Sequence, residues 1–380
     1  MCGKNLAVVG ASYLQLPLIE KAKRLGCVTH VFAWETGDIG EQTADFFYPI
    51  SIVEKEAILH KCREIGIDGI CSIASDLAMV TVNYVAQRLG LVGNSLECTK
   101  KSTNKHEMRR CFEENGDPSP QSILLDSLTD LNGIALSYPV IIKPTDRSGS
   151  RGITKLEDSD GLTEAFTRAK DLSLEGCVLV EEFAEGQEYS VECISWRGEH
   201  HFLAITQKYT TGAPLFIETA HLQPAPMAEE CLKRVKAVVF HALNSLGIQN
   251  GASHSELKIA PDGRIMLIEI GGRMGGDFIG SDLVYLSTGF DFVKAVIQIA
   301  LGERLECSVG QTGAAAVRFV LGPEDILSFH RIREEHPEII VRQNMTERFD
   351  RPVVDSASRF GYYLLRSDNA DLLCGYMPKK

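Results

Sequence analysis

No apolar run in this chain approaches the ~18 residues of a membrane-spanning helix, so no span is expected. The glycine fingerprint for dinucleotides is also missing. The turn after the first predicted strand reads Gly10-Ala11-Ser12-Tyr13-Leu14-Gln15, without the second and third glycines of GxGxxG, which argues against a nicotinamide cofactor. GxxxxGK[ST] is absent, so there is no P-loop. The eleven cysteines include no CxxC pair and are odd in number, which argues for free thiols rather than a zinc site or a disulfide framework. Excess basic charge is lacking too. Against 51 Asp and Glu stand 39 Lys and Arg, a net charge of −12, which disfavours nucleic-acid and anionic-membrane partners. It does not exclude a small anionic substrate, because local charge decides that. Internal repeats and low-complexity tracts are absent. The first residues run straight into a predicted strand, so no targeting segment and a cytoplasmic location are expected.

What is present is an ordinary globular composition, 44% apolar and 24% charged over 380 residues, enough for two or three domains at ~100–200 residues each. The chain opens with strand Asn5–Val9, a helix over Leu16–Leu25 ending at Gly26, and strand Val28–Phe32. This β-Gly-α-β start predicts a parallel sheet. Helix Glu54–Ile65, strand Gly69–Ile73 and helix Leu77–Leu89 continue the alternation. Polar texture over Ser95–Lys105 suggests a domain boundary, and one helix is predicted over Ser102–Asn115, with Lys105 and Arg109 one turn apart. Strand Tyr138–Lys143, helix Asp160–Lys170 and strand Cys177–Glu182 follow. Then come a bend within Glu181–Glu192, strand His201–Lys208, and a long irregular stretch Lys208–Pro226, of a length that is often functional. Helix Glu229–Leu246 precedes a hairpin, and helix Phe290–Leu301 stops at Gly302. Beyond Cys307 lie β-like runs at Ala314–Leu321, Ile339–Val341 and Gly361–Arg366.

The hairpin, His254 to Gly276, organises the chain. Pro261-Asp262-Gly263 is a turn signal. A loop centred on Asp262-Gly263 sets Pro261 against Arg264, Ile259 against Met266, Leu257 against Ile268 and Glu256 against Glu269. One face is then apolar (Leu257, Ile259, Met266, Ile268), and the other opposes two carboxylates. Directly opposed like charges destabilise a sheet unless a cation lies between them. Mg²⁺ is commonly held by one or two carboxylates plus substrate phosphates. Arg273 and glycines follow directly, so cation, phosphate and anion stabiliser together suggest phosphoryl transfer.

Two further stretches carry chemistry. Lys143 ends a strand and leads into Thr145-Asp146-Arg147-Ser148-Gly149-Ser150-Arg151-Gly152, a loop whose backbone N–H groups could approach phosphate oxygens. Glu181 to Glu188 offers backbone groups for a base edge and a carboxylate for ribose hydroxyls. By themselves these stretches are equally a surface loop and an acidic, solvated turn.

In order and spacing, these pieces resemble the ATP-grasp superfamily of carboxylate–amine ligases. They are Asn104-Lys105, Val140-Ile141-Ile142-Lys143-Pro144, Ser148-Gly149-Ser150-Arg151-Gly152, Val180-Glu181-Glu182-Phe183 with Gly186 and Glu188-Tyr189, His254-Ser255-Glu256, and Glu269-Ile270-Gly271-Gly272-Arg273. The resemblance covers about residues 5 to 305. Gly251-Ala252-Ser253-His254-Ser255-Glu256, Glu269 to Gly276, and Glu218-Thr219-Ala220-His221 are similar to the dipeptide-forming L-amino acid ligase branch.

The resemblance implies that ATP and Mg²⁺, with Mn²⁺ as an alternative ion, serve the reaction. It implies that Lys105 and Lys143 contact phosphates and that Ser148, Gly149, Ser150 and Gly152 close over them as a lid. Glu181, Glu182, Phe183 and Ala184 would line the adenine site, and Glu188 would bind ribose. Glu256 and Glu269 would hold the metal, and Arg273, with Lys143, would act catalytically. Glu218, His221, His254, Gly275 and Gly276 would face the substrate. Two positions depart from the usual pattern: Asn104 replaces Asp, and Gly271 replaces the Asn of many relatives, which leaves a second Mg²⁺ less fully ligated.

The implied fold is α/β, with α+β character in the centre. It comprises a parallel-sheet N-terminal domain (1–97), an ATP-grasp domain (98–305, lid about 115–190) and a small β-rich C-terminal domain (306–380). The implied reaction joins a small carboxylate, by this resemblance an amino acid, to an amine through an acyl-phosphate. A homodimer is compatible with it. The rival readings are a bicarbonate-activating relative, resembling biotin carboxylase or a carbamoyl-phosphate synthase half, and a non-catalytic nucleotide binder. A structural alternative for Arg273 is an ion pair with Asp277 or Asp282.

Overall fold

The computed structural model describes residues 1–378 except 133, 148–150 and 311. Its first sheet is parallel: β1 (Asn5–Val9), β2 (Val28–Phe32), β3 (Phe46–Tyr48) and β4 (Gly69–Cys71), in the order β3-β2-β1-β4. Along β1, Leu6 and Val8 enter one core while Ala7 and Val9 enter another, which explains an uninterrupted apolar strand with helices on both sides.

A second, antiparallel sheet holds β5 (Ser122–Leu125), β6 (Val140–Pro144), β7 (Thr154–Leu156) and β8 (Val178–Glu182), in the order β5-β8-β6-β7. Helix Leu162–Leu172 covers it with Ala165, Phe166 and Ala169.

The third sheet has eight strands: β9 (Gln187–Trp196), β10 (Glu199–Thr210), β11 (Glu218–Gln223), β12 (Gly251–Ile259), β13 (Ile265–Gly271), β14 (Ala314–Phe319), β15 (Ile340–Met345) and β16 (Gly361–Ser367). Their order is β13-β12-β9-β10-β11-β14-β16-β15, so hydrogen-bonded pairing runs unbroken across residue 306. This is the ATP-grasp arrangement: a parallel N-terminal sheet, a central antiparallel sheet and a large antiparallel sheet reaching the C-terminal part. Among the described residues no single helix is long and apolar enough to cross a membrane. Helix Phe292–Ala300, part of a bent apolar pair, is buried in the same core as Leu6 and Val8.

Three expectations change. The single helix over Ser102–Asn115 is two, Leu96–Thr103 and Lys105–Asn115, broken at Asn104. The Asn104 side chain accepts from the backbone N–H groups of His106 and Glu107 at 3.0 and 3.1 Å, so it caps the second helix. The irregular stretch Lys208–Pro226 contains β11, a strand because β10 and β14 pair with it on both sides.

The third change concerns the hairpin register. Ala260 N donates to the Arg264 carbonyl at 2.9 Å, and Gly263 has φ +82°, so the loop has three residues, Pro261 to Gly263, rather than two. That shifts the ladder by one: Ile259 opposes Ile265 and Leu257 opposes Leu267. A bulge then leaves Ile268 unpaired and shifts it back, so Glu256 still opposes Glu269. The core face is therefore Leu257, Ile265, Leu267 and Ile270, with Ile259 at its edge, while Ile268 turns to the cleft.

Candidate functional site

Where the second and third sheets meet, β6, β8, β10, β12 and β13 surround a cavity of about 170 Å³. Its wall includes Lys105, Lys143, Glu181, Glu182, Phe183, Ala184, Glu188, Glu218, His254, Glu256, Glu269 and Arg273. Residues scattered over most of the chain thus converge. His221 and Gly276 line an adjoining cavity of about 610 Å³, which shares Glu218, His254, Glu256 and Arg273 with the first. Gly152 packs beside Pro144 and Leu172, off the wall of the first cavity, and Ser148, Gly149 and Ser150 lie outside the described residues.

The cations and carboxylates are paired in a definite pattern. Lys105 lies 2.8 Å from Glu269 and donates to the Arg147 carbonyl at 2.7 Å. Burial pulls the Lys105 ammonium down, but Glu269 outweighs it and the net shift is upward. Glu181 sits between Lys143 at 2.5 Å and Arg109 at 3.0 Å. Burial raises the Glu181 carboxyl, yet the two cations hold it below the usual range. Burial, with help from neighbouring Arg109 and Lys105, lowers Lys143, and Glu181 opposes this. Arg109 also donates to the Ile268 carbonyl at 2.6 Å, so it ties the bulge to this cluster.

A second cluster is centred on Lys208, which meets Glu256 at 2.6 Å, Glu188 at 3.0 Å and Glu218 at 3.5 Å. Burial opposes its charge, but the three carboxylates hold its pKa well above the usual lysine value. Conversely, burial would raise Glu256, while Lys208 and His254 hold it well below.

His254 bridges two carboxylates: its Nδ1 contacts the fully buried Glu192, and its Nε2 lies 3.3 Å from Glu256. Burial lowers His254, but Glu192 outweighs it and the imidazole is pushed up to about 9. Gly275 N donates to Glu192 at 3.0 Å, and a Cβ at Gly275 would fall 2.7 Å from His254 Nδ1. Gly275 therefore serves this contact rather than lining a cavity.

Arg273 pairs with Asp76 of the N-terminal sheet region at 2.8 Å, not with either acid expected from its neighbourhood. Asp277 instead takes Arg359 in a two-pronged pair at 2.8 and 2.9 Å, and Asp282 takes Arg342. In the stretch expected to meet the base, the Glu182 N–H donates to the Gln121 carbonyl at 2.9 Å, so that donor is already engaged. The Phe183 ring lies under Lys155 at 4.1 Å and Lys258 at 4.7 Å.

Sequence reasoning missed Lys208, Asp76 and Glu192 as site residues. A charged residue on the inward face of an otherwise apolar strand is the signal that could have found Lys208 and Glu192. Asp76 carries no such signal.

Glu256 and Glu269 suit a hard divalent cation, since they are register partners and supply carboxylate oxygens. Among the described residues no group of three or more His, Cys, Asp or Glu side chains is gathered to hold a metal. The fit is therefore to an ion that completes its shell with phosphate and water, which is the usual Mg²⁺ mode.

Residues 136–282 match the ATP-grasp domain family model. Alanine–anticapsin ligase of Bacillus subtilis is 27% identical over 274 residues, 63% of this chain and 58% of that protein. Human carnosine synthase 1 is 26% identical over 80% of this chain and 40% of its own length. The chain thus spans little more than half, or less, of these curated relatives. The crystal structure of L-amino acid ligase from Bacillus licheniformis superposes with a TM-score of 0.84 at 23% identity, covering 99% of this chain and 96% of that one. Residues 136–282 thus match an ATP-grasp domain, and the fold of the whole chain is the ATP-grasp fold.

Proposed function

We propose that the chain is an ATP-dependent carboxylate–amine ligase acting on an amino acid. The observation that carries this reading is the opposed pair Glu256 and Glu269 in one cavity with Lys105, Lys143 and Arg273, opening onto a second cavity of about 610 Å³. Relatives whose names describe joining alanine to anticapsin, or making carnosine, support it.

In this reading Lys105 and Lys143 bind the nucleotide phosphates, Glu188 binds ribose, and Glu181 holds Lys143 in place. Glu256 and Glu269 would hold Mg²⁺, which when bound screens charge between two anions. A substrate carboxylate oxygen attacks the γ-phosphorus, and ADP leaves with the electron pair of the broken P–O bond. The amine nitrogen then attacks the acyl carbon. A C–N bond forms, the C–O bond to phosphate breaks, phosphate departs with the electron pair, and the nitrogen's surplus proton passes to solvent. The Arg273 guanidinium, fixed by Asp76, stabilises the oxyanion of that step. Water must be excluded, or the acyl-phosphate hydrolyses.

The working division is 1–97, 98–305 and 306–380. The test is phosphate release from Mg-ATP across a panel of amino acids, singly and in pairs, with mass spectrometry of products. Release that requires an amino-acid pair and yields a dipeptide mass is the expected result. Release dependent on bicarbonate alone, or none with any pair, would end the ligase reading.

A further inference from the structure

The second cavity has two unlike ends. Its floor is the wall shared with the nucleotide cavity: Lys208, Glu218, His254, Glu256 and Arg273. Beside them His221 is 1% exposed, with neither ring nitrogen hydrogen-bonded. Burial holds its pKa down to about 3, so it is a neutral polar group in the wall.

The opposite end is made by the loops that leave the carboxyl ends of β1 and β2, through Tyr13 and Trp34, and by the first turn of the helix after β4 (Asp76–Leu89), through Leu77. The sheet order β3-β2-β1-β4 changes direction between β1 and β4, the place where open parallel sheets bind ligands. The large apolar side chains there are not used as core: Trp34 is 58% exposed, Tyr13 54% and Leu77 36%. Aromatic and aliphatic groups set around a few convergent polar ones mark a small-molecule site, and about 610 Å³ lies within the ~300–1,000 Å³ such sites span.

We propose that this mouth selects an amine-bearing substrate with a large apolar side chain, aromatic or branched aliphatic, through Trp34 and Tyr13. The inference rests on the ligase reading. In that reading phosphate lies over Lys105 and Lys143 in the first cavity, so the acyl carbon sits at the shared wall near Arg273 and the nucleophile arrives from the second cavity. The amine then meets the floor, where the carboxylates Glu218 and Glu256 stand, and its side chain extends toward the mouth. Tyr13 and Asp277 line this same cavity.

The chain has two tryptophans, Trp34 and Trp196, so Trp196→Phe makes Trp34 the sole indole reporter. L-leucine and L-phenylalanine should change its emission saturably, with glycine at least ~10-fold weaker, the discrimination that a hydrophobic pocket provides. In the full enzyme Trp34→Ala should raise KM for a large apolar amine by ~10-fold or more while leaving KM for glycine as the amine within about twofold, and Trp34→Phe should preserve the preference. A silent Trp34, an equal response to glycine, or equal losses with both amines in Trp34→Ala would overturn the proposal. Phosphate release with small amines and a silent Trp34 would remove this site and keep the ligase. Saturable binding of leucine without phosphate release from any pair would remove the ligase and keep the site.

Discussion

Two ion-pair clusters, one around Glu181 and one around Lys208, line the smaller cavity, and they are balanced in opposite directions. Around Glu181, two cations meet one carboxylate. Around Lys208, one cation meets three carboxylates. The first is buried and the second partly so, around a buried Lys208, and there the same Coulomb interaction counts for more than in water. The first is therefore short of negative charge, which in the proposed reading a phosphate would supply. The second is short of positive charge, which a metal ion or an ammonium would supply. On that reading the difference would orient a substrate: anionic tail toward β6 and β8, cationic partners toward β10 to β12. The polarity of the cavity is set by unequal counts of ordinary ion pairs rather than by one special residue.

The largest effect expected from breaking this polarity comes from Glu269→Gln. If Glu269 holds the metal, ATP turnover falls ~10³-fold. Because Glu269 also faces the buried Lys105, the variant should lose about 1–3 kcal/mol of stability as well, more than an exposed carboxylate would cost. Phosphate release and a denaturant titration on one preparation measure both, and near-normal turnover would remove Glu269 from the metal site.

Next, Lys208→Met leaves three carboxylates without their cation and should cost about 3 kcal/mol, the scale for stranding one side of a buried pair. Added Mg²⁺ should raise the melting temperature of this variant more than that of the wild type. An equal response would mean that Lys208 and the metal do not share Glu256.

Arg273→Lys keeps charge but loses the planar fork. It should reduce amide formation by ~10²-fold while leaving most ATP affinity in place. A lowered melting point with a normal rate would assign Arg273 to Asp76 alone.

The smallest effect tests the neutral member of the acidic side. His221 has a folded pKa depressed to about 3 by burial, partly offset by Glu218, while Lys208, Arg359 and His254 add to the depression. The unfolded chain therefore binds more protons below about pH 6.5, and stability is full above that value and falls as pH drops toward 3. By pH 5.5 the loss should be about 1 kcal/mol, and His221→Asn should remove that part of the slope. An unchanged slope would show that His221 titrates normally.

How much of this was legible depended on where the information lay. Helix Glu229–Leu246 and strands Asn5–Val9 and Val28–Phe32 have the bounds that periodicity gives, because their apolar faces are continuous. β11 was hidden: Glu-Thr-Ala-His-Leu-Gln reads as polar, yet its inward side chains are buried by neighbours on either side. The opposition of Glu256 and Glu269 was legible, although two irregularities that cancel, a three-residue loop and a bulge, were not. Lys208 stood out only as a charge on a largely apolar strand, and Asp76 not at all. Lys208 acquires its role only when β9, β11 and β12 bring three carboxylates to it. Asp76 lies 197 positions before its partner Arg273.

The third sheet crosses residue 306 without a break, since β11 pairs with β14 through Ala220–Arg318 to Gln223–Ala315. Cutting the chain there to isolate a catalytic core would bare the outer ladder of β11, turning an interior strand into an edge. Unpaired N–H and C=O groups on such an edge recruit other strands, so the truncated protein should aggregate or exchange strands between copies. The C-terminal strands thus also cover an edge of the sheet, and a chain stopping at residue 305 would need a designed edge, with a bulge or an inward lysine, to keep it from pairing.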